Sequence, residues 1–193
     1  MTILRTLCCV ALFGFTGAGA VSCISPPDYS DTPEIEFKNI YTQRFDRAIG
    51  TYDSVAVTVA FKDGDGDLGL NNGETSPPFN EFNIVGRDTI PNKYYNNYFM
   101  SLQVQETDGT YSDLPLTGLN FNSRYPLLTP ESQGDRKAPL KGDLTLGLKI
   151  FQGSIQSFRP DLPMPLSVRF KVYIVDRALH ESNTVLTSPI TIR

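Results

Sequence analysis

Apolar side chains recur at every second position along most of this chain, a period that belongs to strands and not to helices. Leu166 to Val175 (Leu-Ser-Val-Arg-Phe-Lys-Val-Tyr-Ile-Val) is the clearest case, with Leu166, Val168, Phe170, Val172 and Ile174 on one face. Tyr52 to Phe61 sets Val55, Val57, Val59 and Phe61 in step, and Leu140 to Phe151 does the same with Leu144, Leu146, Leu148 and Ile150. Glu34–Ile40, Phe82–Val85, Phe99–Glu106, Tyr111–Leu114 and Val185–Ile192 add further short runs. Asp108-Gly109 marks a hairpin turn between two of them. No window carries a 3.6-residue period, and 14 prolines and 15 glycines punctuate the chain throughout.

Seven or more short strands separated by turn signals predict an all-β fold, an immunoglobulin-like or fibronectin-like β-sandwich. The 193 residues, less a leader, exceed a minimal domain of that kind. One sandwich over residues 34–193 is expected, elaborated by a long loop insertion at 115–139, where Pro126, Pro130 and Pro139 flank a polar stretch. No internal repeat is visible.

The first 22 residues read as an export signal. Arg5 is followed by the apolar run Leu7-Cys8-Cys9-Val10-Ala11-Leu12-Phe13-Gly14-Phe15 and by the small residues Gly17-Ala18-Gly19-Ala20. The run is too short for a spanning helix. It ends in Ala20-Val21-Ser22-Cys23, which resembles the lipobox of bacterial lipoproteins, with Ala20 where a Leu is usual. That resemblance implies cleavage before Cys23 and lipidation of its thiol; ordinary cleavage would leave Cys23 free. All three cysteines lie in these 23 residues, so the folded part has neither a disulfide nor a cysteine nucleophile. Three prolines between Ile24 and Pro33 predict an extended tether, 23–33, in which Asp28 and Asp31 are solvated or form an acidic export signal.

The most unusual chemistry is in Phe61-Lys62-Asp63-Gly64-Asp65-Gly66-Asp67-Leu68-Gly69-Leu70-Asn71-Asn72-Gly73-Glu74. Three carboxylates at alternate positions repel one another, and a divalent cation is one means of relieving them. Counted from Asp63, oxygen donors fall at positions 1, 3, 5, 9 and 12: Asp63, Asp65, Asp67, Asn71 and Glu74. This matches the ligand spacing of an EF-hand loop. Leu68 stands where that loop requires glycine, and a strand precedes it, so an EF-hand domain is excluded. A structural Ca2+ on a β scaffold is expected, against the alternative of a glycine-rich turn whose acids face water.

A second motif, Asp176-Arg177-Ala178-Leu179-His180-Glu181-Ser182-Asn183, follows the strongest strand. It looks like the Asp-x-Ala-(Gly/Leu)-Asn-x-Ser-Asn turn before the last strand of many bacterial immunoglobulin-like domains. Asp176 is then either a further cation ligand or a cap on its own turn. The lipobox, the Pro-rich tether, the Val-rich strand ending in Phe-x-Asp-Gly-Asp-Gly-Asp-Leu-Gly and this terminal turn together resemble small Bacteroidota outer-membrane lipoproteins. That resemblance implies a lipid-anchored, immunoglobulin-like module and brings no enzymatic activity with it.

Other classes find little support. Loss of residues 1–22 removes one charge, Arg5, and moves the formal net charge from −4 to −5, which gives no basis for nucleic-acid binding. His180 is the only histidine, and no nucleophile-elbow motif is present. Distant carboxylates could still meet as a glycosidase pair. The run Tyr94-Tyr95-Asn96-Asn97-Tyr98-Phe99 either offers Tyr94, Tyr95 and Tyr98 to a sugar or protein, or begins a strand with alternate rings buried. The expected function is non-catalytic: an accessory or binding subunit of an outer-membrane complex, held to the membrane by lipid and partnered by a β-barrel or other envelope protein. A glycan-binding lipoprotein of a nutrient-uptake system is the alternative.

Overall fold

Two long strands form the first layer. β1 (Glu34–Arg47) and β2 (Gly50–Asp63) make an antiparallel hairpin that slips register between Phe37 and Asn39. The computed structural model describes residues 27–114, 121–129, 134 and 136–193; Cys23 and the whole signal segment lie outside the described residues. Next come a small hairpin, β3 (Phe82–Val85) and β4 (Asp88–Pro91), then a 3-10 turn at Lys93–Tyr95, β5 (Tyr98–Gln105) and β6 (Tyr111–Asp113). β7 (Leu140–Phe151), β8 (Leu166–Ile174), β9 (Val185–Leu186) and β10 (Ile190–Ile192) complete the chain.

β7 pairs along the full length of β2 to close a sheet of order β1-β2-β7. The second sheet runs β10-β8-β5-β6, with β9 also on β8. Every pairing is antiparallel. β9 and β10 are one strand interrupted at Ser188-Pro189, because proline has no N–H to give to the ladder. Thr187 bridges the gap: its N–H donates to the Phe170 carbonyl at 2.9 Å, and its Oγ1 accepts from the Phe170 N–H at 2.9 Å.

The period-two residues fill one shared core. Val55, Val57, Val59 and Phe61 of β2, with Leu144 and Ile150 of β7, belong to the same cluster as Met100, Leu102 and Val104 of β5 and Leu166, Val168, Phe170, Val172 and Ile174 of β8. Two antiparallel sheets whose apolar faces meet in one core have the layer arrangement of a β-sandwich. Each such side chain contributes roughly 1.5–3 kcal/mol on full burial, so this core carries most of the fold's stability.

The 115–139 stretch is only partly an excursion. Its described segment 121–129 is stitched into the body, with Phe121, Tyr125 and Leu128 packed against the core. Ser123 bonds the start of β5 by accepting from the Asn97 and Tyr98 N–H groups and donating to the Tyr98 carbonyl. Leu70 donates to Tyr125 and Leu128 to Leu68, which ties the same segment to the acidic loop.

The sheets are also joined at one end by a single amide. Asn183 accepts from the Ile35 N–H and donates to the Ile35 carbonyl, both at 2.8 Å, closing the free edge of β1 onto the turn before β9. Asn183→Ala strands two backbone groups of a buried residue. It should cost about 1–3 kcal/mol, read as a lower urea midpoint with an unchanged m-value.

Candidate metal centre

Asp63 ends β2, so the acids alternate away from a rigid strand, and the chain then turns across the end of the sandwich. The intervening glycines are needed because other segments cross there in contact. A Cβ on Gly64 would collide with the backbone of Tyr29 and Ser30, on Gly66 with the Ala138 carbonyl, and on Gly69 with Pro126 and Leu127. Gly66 and Gly69 also have positive φ, 72° and 98°. Leu68 and Leu70 go the opposite way, each 2 % exposed, and pin the loop. The pattern thus has three outputs: carboxylates gathered, glycines under crossing chains, leucines buried.

One carboxylate oxygen from each of Asp63, Asp65 and Asp67 lies within 4.8 Å of the other two. Asp63 is fully buried and Asp65 is 7 % exposed. On Asp63 and Asp65 one oxygen is engaged by the protein. Asp63 Oδ2 accepts from the Asp67 N–H at 3.0 Å, and Asp65 Oδ2 pairs with Lys137 Nζ at 2.8 Å. The backbone N–H dipoles of Arg177 and Ala178 favour the charged form of Asp67. The Oδ1 atoms of all three are buried with no hydrogen-bond partner among the described residues.

Three orphaned anionic oxygens side by side are costly, since buried charge without a partner is among the most unfavourable arrangements in a protein. Oxygens that share a Ca2+ at 2.3–2.6 Å stand no more than about 5 Å apart, which the cluster satisfies. An all-oxygen donor set suits a hard cation. The three carboxylates therefore fit part of the shell of a hard divalent cation.

Asp176 reaches the same end of the molecule from the second sheet, its side chain fully buried. Its oxygens cap the turn: Oδ1 accepts from the His180 N–H at 2.7 Å and Oδ2 bonds His180 Nδ1 at 2.9 Å. These bonds hold Leu179 at φ 69°, a left-handed conformation that costs a leucine energy. Asp176 thus caps its own turn and places a fourth negative charge beside Asp63 and Asp67.

Asn71 and Glu74 depart from the EF-hand spacing. Glu74 forms a bidentate ion pair with Arg177 and accepts from the Asn71 N–H at 2.6 Å, so its carboxylate is spent. Glu74 does not join the carboxylate cluster among the described residues, and Leu68, standing where an EF-hand loop has glycine, is buried in the core. Asn71 lines the adjoining cleft with Asp65, Asp67, Lys137 and Arg177.

The tyrosines divide. Tyr94 and Tyr95 sit half-buried on the 3-10 turn, where Lys93 stands 5.4 Å from the Tyr94 ring centroid and Arg124 stands 5.3 Å from that of Tyr95. Tyr98 has no exposed surface and packs against Tyr125 inside the sandwich, so it is a core residue and not a surface contact.

Sequence reasoning missed three cations. Arg177 locks Glu74, Lys137 faces Asp65, and Arg124 donates to the carbonyls of Tyr95, Asn71 and Glu74, tying the aromatic turn to the acidic loop. Arg177 had a signal, its place directly after Asp176. Arg124 and Lys137 had none, since their partners lie between 29 and 72 residues away.

No family model matches this chain, and no curated protein matches it. Among solved structures it is similar to one described as "X-ray structure of Northeast Structural Genomics Consortium target SoR45", with 8 % identity over 84 % of this chain and 87 % of the other and a TM-score of 0.28. At that score the likeness carries no argument.

Burial, then the charges of Asp65, Asp67 and Asp176, push Asp63 up to about 7; burial, then Asp176 and Asp65, push Asp67 up to about 6. A carboxyl with a raised folded pKa binds its proton more tightly folded than unfolded, so it stabilises the fold while protonated. With cations chelated, stability should fall as pH rises from about 4 through 7, by an amount on the order of a few kcal/mol. Urea unfolding in chelator at about pH 5 and about pH 8 measures it, and a flat profile would contradict the described cluster.

Proposed function

We propose that this chain is a lipid-anchored outer-membrane lipoprotein whose immunoglobulin-like sandwich is braced by Ca2+ at the end where the tether joins. It acts as a non-catalytic accessory or binding subunit of an outer-membrane complex. The observation that carries the cation is the trio of buried, unpartnered oxygens on Asp63, Asp65 and Asp67. Support for a tether held at that end comes from Ser30, whose carbonyl accepts from the Gly64 N–H at 2.8 Å. Two antiparallel sheets on one core support the immunoglobulin-like reading.

In this reading Asp63, Asp65 and Asp67 hold the ion, with Asp176 as a further negative charge and backbone carbonyls or water completing the shell. The bound ion neutralises charges that otherwise drive the end apart, and so orders the tether, the 121–129 segment and the Asp176 turn together. Cys23 carries the lipid. The partner is a β-barrel or other envelope protein, which the twelve-residue edge strand β7 can meet by strand addition.

Saturating Ca2+ should raise Tm, because a ligand bound only by the folded state stabilises it by about 2.7 kcal/mol at a hundredfold excess over Kd. For a domain of this size that is a rise of several degrees, roughly 5–10 °C. Asp63→Asn should leave a folded protein with no Ca2+ response; an unchanged Tm on chelation of the native protein would refute the brace. For the subunit reading, detergent extracts at native expression should yield one defined barrel partner with the lipoprotein, and recovery of the lipoprotein alone would count against it.

The half-buried Tyr94 and Tyr95 beside Lys93 and Arg124 favour a second reading, a glycan-binding lipoprotein of an uptake system. A glycan array on native and Tyr94→Ala protein separates the two, with binding lost in the variant as its expected result.

A further inference from the structure

The β3–β4 hairpin belongs to neither sheet. Its partners are internal: Phe82 faces Pro91, Asn83 faces Ile90, Ile84 faces Thr89 and Val85 faces Asp88. Phe82, Ile84, Val85 and Ile90 are 49 %, 80 %, 58 % and 44 % exposed, so four large apolar side chains stand bare within nine residues. Phe82, Ile84 and Pro91 share one face with Thr89, and neither face is covered. Val85 and Ile90 stand on the other face, and large apolar side chains exposed on both faces of one hairpin mark a contact with something apolar.

The hairpin is also firmly mounted. Asn92 is buried at its base, where its side-chain amide donates to the carbonyls of Pro78 and Asn80 at 2.7 Å and its N–H donates to Glu81. Arg177, locked on Glu74, lies 5.9 Å from the centroid of the Phe79 ring, which fastens this base to the acidic loop. The same loop holds Ser30 through Gly64. The hairpin and the start of the tether are therefore fixed to one end of the sandwich.

That placement favours a lipid surface as the occupant. The seven residues from Cys23 to Tyr29 span at most roughly 25 Å even fully extended. Strands of four residues give the hairpin a reach of about 13 Å. An acyl chain on Cys23 would hold this end within about 25 Å of the bilayer, a range that includes the hairpin's reach. We infer that the β3–β4 hairpin is a second membrane contact, seating Phe82, Ile84 and their neighbours in the lipid interface beside the acyl anchor. The inference rests on the lipidation of Cys23 proposed above. Arg87, exposed in the turn, supplies a cation for the lipid phosphates. Two shallow contacts orient the domain as well as hold it, since one acyl attachment alone leaves rotation free.

The chain has no tryptophan, so single substitutions give clean fluorescent reporters. Ile84→Trp places one in the hairpin, and Ile49→Trp places one in the exposed turn between β1 and β2, at the far end of the sandwich. Both full-length proteins are purified from membranes and reconstituted into phosphatidylethanolamine–phosphatidylglycerol vesicles with brominated acyl chains. Emission from Ile84→Trp should be quenched at least about threefold more than that from Ile49→Trp. Intact mass reports acylation of Cys23 separately. Acylated protein that floats with the vesicles while Ile84→Trp stays unquenched overturns the hairpin contact and leaves the anchor standing; a mass with no acyl group removes the anchor itself. Lipid-free protein that sediments as a dimer, dispersed by Ile84→Ser, would assign the hairpin to a second copy and likewise overturn the inference.

Discussion

Three carboxylates with unpartnered buried oxygens, and a fourth beside them, sit at one end of this sandwich. Their repulsion is the constraint around which that end is built. Water cannot relieve it where oxygens are inaccessible, so compensation has to come from protons, from protein cations or from a bound ion. Lys137 supplies one positive charge to Asp65, and the backbone N–H groups of Asp67, Arg177 and Ala178 supply dipoles. The proposed Ca2+ supplies the remainder, and it would do so where Tyr29 and Ser30, the 121–129 segment and the turn from the second sheet all converge.

The hydrophobic core and this polar end are complementary. Val57, Val59, Val168, Phe170 and Val172 hold the two sheets together without specifying how their ends are closed. Closure is left to directional bonds: Asn183 on Ile35, Ser123 on Tyr98, Arg124 on three carbonyls. Apolar packing is roughly proportional to area, whereas these bonds fix register and orientation. One set of such bonds gathers at the acidic end, and a second set, in which Arg44 and the Arg193 N–H donate to Asp53, fastens the C-terminus to β2.

The strands were legible because a period of two is a local property. Leu166–Ile174 and Leu140–Phe151 are strands, and the Tyr52–Phe61 run lies inside β2. β4 was not legible, since Asp88–Pro91 is short and exposed and carries no alternation to read. The acidic cluster was legible as far as Asp67. Beyond that the EF-hand spacing failed, because Leu68 is drawn into the core and Glu74 finds Arg177 from the far end of the chain. Tyr98 failed for a related reason: the sequence pattern marks aromatic residues at a strand's beginning, but which face is buried depends on where the opposing sheet lies.

What the residues determined by themselves was the all-β class, the strand periods and the alternation of acids with glycines. Each depends on neighbours within a few positions, where geometry is set by backbone sterics and side-chain period. The tertiary structure alone decided that Asp63, Asp65 and Asp67 would be buried with orphaned oxygens, and that Asp176 would stand beside them. It also decided that Gly64, Gly66 and Gly69 lie beneath three separate crossing segments, and that the β3–β4 hairpin is left uncovered. Those outcomes depend on which distant segments share one end of the sandwich, and burial, desolvation and charge repulsion exist only once they do.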